Sequence, residues 1–148
     1  MQPNNSSQAY RSSQKLGSSA RQTEAQALLE TARMMDAAIG AENDDSYRAA
    51  LRLNWRLWTI IQADVSSEEN PLPVEIRHNI LSLSVFIDKH TVNALAEPAG
   101  RKLRVLIDIN RNIAAGLMTN VGEEAAMADA ADAQPQPVAA NTSGDIVA

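Results

Sequence analysis

The side chains able to do acid–base, nucleophilic or metal chemistry are few, and their spacing does not suit it. His78 and His90 are the only histidines and lie twelve residues apart. On one helix their directions would differ by roughly 120° at about 3.6 residues per turn. They therefore cannot form the i, i+4 pair of a zinc-binding HExxH helix. There is no cysteine, which removes thiolate catalysis, disulfides and the common zinc knuckles. The serines cluster towards the termini, with no nucleophile elbow and no base at a fixed spacing. Adjacent carboxylates occur at Asp44-Asp45, Glu68-Glu69 and Glu123-Glu124. Helix capping accounts for the first pair and solvation for the other two. Neither a P-loop nor a GxGxxG turn is present. These residues imply a non-enzyme without cofactor or metal.

The polar residues that stand out sit inside apolar stripes. Leu103, Leu106, Ile107, Asn110, Ile113, Ala114 and Leu117 recur at steps of three and four and share one helix face. Asn110 occupies its middle. Asp108 and Arg111 lie on the flank, three residues apart and able to pair. Asn54 interrupts a second stripe made of Tyr47, Ala50, Leu51, Trp58, Ile61 and Val65. A buried amide left unpaired costs roughly 1–3 kcal/mol. Asn54 and Asn110 therefore either meet each other across two helices or are satisfied separately by water or local backbone. A polar residue in a packed seam commonly fixes register.

The helix carrying Asn54 has more apolar surface than one packed face needs. Leu53, Leu57 and Ile60 widen the arc, and Trp55 adds a large ring. A surface helix usually shows an apolar stripe about 100° wide. The surplus is either covered by neighbours on two sides or forms a groove for an amphipathic partner, with Leu53, Leu57, Ile60 and Trp55 as the candidate contacts. The next helix, with Ile76, Ile80, Leu81, Leu83, Val85, Phe86 and Ile87, is similarly over-apolar. Arg48, Arg52 and Arg56 make a ridge at four-residue spacing. It reads either as a solvated face or as a contact for phosphates or an acidic partner.

These faces belong to four helical segments expected near 19–39, 45–64, 74–95 and 101–119. Ser18 or Ser19 can cap the first, and Gly40 can stop it. Asn43, Asp44 and Ser46 offer caps for the second. Asn70-Pro71-Leu72-Pro73 precedes the third, and Pro98 and Gly100 follow it. No segment alternates with a period of two. Short links between long helices favour antiparallel neighbours, so the expected fold is an all-α antiparallel bundle of about four helices. Residues 1–18 and 120–148 are expected to be disordered tails flanking a helical domain over 19–119. The 148 residues carry a net charge of −5. Thirteen bases and thirteen acids balance within residues 1–119, so the imbalance lies wholly in the acidic tail. A neutral body lacks the basic footprint of a nucleic-acid binder, so direct RNA binding is not expected. No run is long and apolar enough for a membrane span and no signal peptide is evident, which implies a soluble cytoplasmic protein.

The run LIDINRNIAAGL (Leu106 to Leu117), preceded in order by Arg52-Leu53-Asn54-Trp55-Arg56-Leu57-Trp58 and Asn70-Pro71-Leu72-Pro73, resembles the FlaF family of alphaproteobacterial flagellar biosynthesis regulators. A weaker match lies at Ala20-Arg21-Gln22-Thr23-Glu24, where many members have proline in place of Ala20. The resemblance extends from about Ala9 to Met118 and does not include the acidic tail. It implies a regulator that promotes flagellin production after transcription, binds flagellin in the manner of a secretion chaperone and opposes the repressor FlbT. Two other functions stay open at this point. One is an RNA-associated regulator of flagellin mRNA using Arg48, Arg52 and Arg56, and the other is a structural adaptor between flagellar factors, FlbT among its possible partners.

Overall fold

A computed structural model describes residues 5–132. The remaining parts of the two expected tails, 1–4 and 133–148, lie outside the described residues. Four helices follow in order: α1 (Asn5–Ala37), α2 (Asp45–Ser66), α3 (Val74–Ala96) and α4 (Gly100–Asp132). The all-α bundle expected from the sequence is what forms, with no strand among the described residues.

Local chemistry sets the inner boundaries. Gly40 has φ +94°, the left-handed conformation that ends α1 without a Cβ clash. The Asp44 carboxylate accepts the Asp45 N–H at 2.7 Å and so caps α2. Asn70 ties the α2–α3 link together. Its oxygen accepts the Leu72 N–H at 2.9 Å, and its nitrogen donates to the Asp64 carbonyl at 3.2 Å. Leu72 thereby enters the core. At the α3–α4 link, the Tyr47 hydroxyl accepts the Ala99 N–H at 3.0 Å and donates to the Ala94 carbonyl at 3.0 Å. One buried phenol thus pins the start of α2 to the turn between α3 and α4.

The outer boundaries differ from the sequence expectation. α1 begins at Asn5 rather than near Ser19, and α4 runs to Asp132 rather than Thr119, taking Gly122 into the helix. Asn110 lies beside Leu28 and Thr31, and Gly100 beside Ile39, so α1 and α4 run antiparallel. The Gly17 position faces Pro71, so α1 also passes over the α2–α3 link.

The core is built from Leu28, Ala32 and Met35 of α1, Tyr47, Leu51, Trp58 and Ile61 of α2, Ile80 and Ile87 of α3, and Leu103, Leu106 and Leu117 of α4. α1 packs along α4, and α2 packs along α1 and α3. α3 meets α4 only sparsely, near a contact of 2.9 Å between His90 Nε2 and the Lys102 carbonyl.

Candidate functional site

Two polar residues named from the sequence meet at the centre of the bundle. Trp58 donates its indole N–H to Asn110 Oδ1 at 2.8 Å. Indole is a donor only, so it must meet the Asn110 oxygen and leaves the amide nitrogen free to donate. That nitrogen donates to Asn54 Oδ1 at 2.7 Å and to Thr31 Oγ1 at 2.8 Å, with the Leu28 carbonyl at 3.3 Å. Thr31 passes its own proton to the Leu28 carbonyl at 3.0 Å. Asn54, Trp58 and Asn110 are all buried. The direct Asn54–Asn110 pairing is therefore the arrangement that forms, with Trp58 and Thr31 added. Asn54 Nδ2 is left buried without a partner among the described residues. This network joins α1, α2 and α4 at one level, and any slip by a turn would separate several buried donors from their acceptors.

Asp108 and Arg111 are not part of it. Both are exposed, and no ion pair joins them. Their three-residue spacing allowed a pair, but on a solvent face the side-chain entropy outweighs the small Coulomb gain.

The four candidate partner contacts fall on two different flanks of α2. Leu53 and Ile60 keep 36% and 60% of their surface in water, and Leu57 between them is half-buried against the core. This flank faces α1, since Glu24 of α1 hydrogen-bonds Asp64 one turn beyond Ile60. Met34 of α1 is exposed on the adjoining edge. Trp55 lies on the opposite flank. Its indole donates to Asp88 Oδ1 of α3 at 2.9 Å. An apolar arc counted along a sequence does not show which neighbour each edge meets, and here α1 and α3 divide it. The arginine ridge runs along the outer face, with Arg48 half-buried and Arg52 and Arg56 exposed.

The titratable groups have structural surroundings. His78 is exposed, whereas His90 stacks on Phe86 with ring centroids 5.4 Å apart. A carbonyl can only accept, so His90 carries its proton on Nε2. Glu24 is pushed up to about 7, by burial first and then by its hydrogen bond with Asp64 and the repulsion of that carboxylate, with Arg21 opposing. No cluster of three or more His, Cys, Asp or Glu able to hold a metal occurs among the described residues.

Sequence reasoning missed the exposed Val74 and Val92 of α3 and Met34 of α1. The low amphipathic contrast of α3, apolar almost all round, was the available signal.

The family model described as "Flagellar protein FlaF" matches residues 6–117. The chain belongs to the FlaF family. The match spans α1 to the middle of α4 and includes every member of the buried network, as well as Leu53, Leu57 and Ile60. Searches of curated proteins and of solved structures give no match. No helix among the described residues is long and apolar enough to cross a membrane.

Proposed function

We propose that this FlaF-family chain is a cytoplasmic flagellar regulator that binds unassembled flagellin, in the manner of a secretion chaperone, and promotes flagellin production after transcription. The observation that carries the reading is the Leu53–Leu57–Ile60 flank. The bundle has already closed its core around Asn54, Trp58 and Asn110, yet Leu53 and Ile60 stay in water beside Leu57. Apolar side chains kept at the surface of a small bundle suit a partner helix laid along α2 and α1. An export substrate whose own helices are unpartnered before assembly has the matching need. Capture would keep it soluble and tie its synthesis to its use.

A regulator that binds RNA through Arg48, Arg52 and Arg56 would behave differently. Phosphate binding weakens steeply with salt, whereas apolar capture changes little. Titrating the full chain with unassembled flagellin, and separately with flagellin mRNA leader, between about 50 and about 300 mM salt separates the two. Salt-tolerant binding to flagellin supports the proposal. Salt-sensitive binding to RNA alone overturns it.

A further inference from the structure

The α3 side of the bundle carries a second apolar strip that the flagellin reading does not use. Val74, Val85 and Val92 are exposed on one flank of α3, with Val85 and Val92 keeping 49% and 54% of their surface in water. Half-buried Leu81 shares that flank. Steps of seven, four and seven residues from Val74 to Val92 keep the four on one line, about 27 Å long at about 1.5 Å per residue. The same flank faces α2. Asp88, three residues after Val85 and four before Val92, accepts the Trp55 indole N–H at 2.9 Å. The antiparallel register set by Trp55–Asp88 and Tyr47–Ala94 puts Arg48 and Arg52 level with Val92.

The Val85–Val92 part of the strip is thus bracketed by cations. Arg48 and Arg52 edge it on α2. Lys89, four residues after Val85 and three before Val92, edges it on α3. Among the described residues none of the three makes an ion pair or hydrogen bond. Of the neighbouring acids, Asp88 is engaged by Trp55 and Asp44 caps α2, while Asp45 lies in the first turn of α2. Three cations without internal partners beside an aliphatic strip have one complementary occupant, a helix with apolar residues on its contact face and carboxylates on both shoulders.

We propose that the α2–α3 face, through Val85, Val92 and Trp55 with Arg48, Arg52 and Lys89, docks an acidic amphipathic helix of a partner protein. This surface is separate from the Leu53–Ile60 flank, so the chain has two faces for two helices. Nucleic acid fits the site less well. Valine offers no stacking platform, and the Asp88 carboxylate sits at the seam where a phosphate would have to pass.

The test uses three synthetic helical peptides that share one leucine stripe and differ only in flanking residues: glutamate, glutamine or lysine. They are titrated into the full-length chain labelled for NMR, with a single-stranded oligonucleotide as a fourth probe. The glutamate peptide is expected to bind at least tenfold more tightly than the lysine peptide. Its affinity is expected to fall several-fold between about 50 and about 300 mM salt, with shifts centred on Val85, Val92 and the Trp55 indole. The triple variant R48E/R52E/K89E, its charges on solvent-facing edges, is expected to reverse the preference. Equal binding of the three peptides, binding of none, or shifts centred on Leu53 and Ile60 would overturn the proposal. Oligonucleotide binding that the triple variant abolishes, with no glutamate preference, would assign the face to nucleic acid instead.

Discussion

Replacing either buried asparagine with leucine looks like the same change in sequence, and the structure makes the two outcomes unequal. Asn110 is the hub. In Asn110→Leu the Trp58 indole N–H and Asn54 Oδ1 both lose their partner, and both sit in buried residues. At roughly 1–3 kcal/mol for each orphaned group, offset by about 1–2 kcal/mol for the added apolar side chain, the net loss centres on about 2.5 kcal/mol within a range of about 0–5 kcal/mol. Asn54 is peripheral. In Asn54→Leu, Asn110 Nδ2 keeps Thr31 Oγ1 and the Leu28 carbonyl for its two hydrogens, and the unpartnered Asn54 Nδ2 disappears. That substitution is expected to cost less than about 1 kcal/mol. Urea unfolding followed by circular dichroism at 222 nm gives both values, and a gap of about 2 kcal/mol is expected, with helix content retained. Equal losses, or a larger loss at Asn54, would refute the hub assignment. Sedimentation of Asn110→Leu adds a check on register, because loss of the hub is expected to broaden its association state.

Other outcomes follow from single contacts. The Glu24 carboxyl titrates near 7 in the fold against an ordinary 4.5. Between those values the folded chain holds a proton that the unfolded chain releases, so stability is expected to fall as pH rises through that window. Urea midpoints measured from about pH 5 to about pH 7.5 will show this slope, and Glu24→Gln is expected to flatten it and raise the midpoint at neutral pH. Tyr47→Phe strips the partner from the Ala99 N–H and the Ala94 carbonyl. A loss of about 1–3 kcal/mol is expected, with faster hydrogen exchange at the Ala99 amide. Two glycines are expected to differ in sign. Gly40→Ala forces a side chain into positive φ and costs about 1 kcal/mol, whereas Gly116→Ala, in open space inside α4, gains up to about 1 kcal/mol; thermal melts compare them.

The bundle and its hub were legible because helical spacing is geometric. An amide in the middle of an apolar stripe has to be paired, and Asn54 and Asn110 were the only two residues placed that way. Trp58 and Thr31 were not legible as their partners, since a tryptophan or threonine in a stripe reads as packing until its donor is seen to face an amide. The ends of α1 and α4 were placed too far in. The Ser- and Gln-rich start offers little to bury and Gly122 reads as a stop, although the alanines from Ala125 onwards have high helix propensity. Trp55 and Leu53, two residues apart, stand about 200° apart on a helix, so the four candidate contacts span both edges of the apolar arc. Trp55 reaches Asp88 on α3, while the three aliphatic residues turn towards α1. The sparse α3–α4 contact left no trace in either helix's pattern.

Flagellin capture on the α1–α2 flank is the central claim, and the affinity of one double variant tests it most directly. Leu53→Glu with Ile60→Glu changes two surface side chains, 36% and 60% exposed, and spares Leu57, which packs against the core. Its thermal melt is therefore expected to stay close to that of the wild type. Isothermal titration with unassembled flagellin is expected to show at least a tenfold loss of affinity, about 1.4 kcal/mol or more. Arg52→Gln is expected to bind within about twofold of wild type at moderate salt. A folded double variant that binds flagellin as tightly as the wild type would contradict the claim.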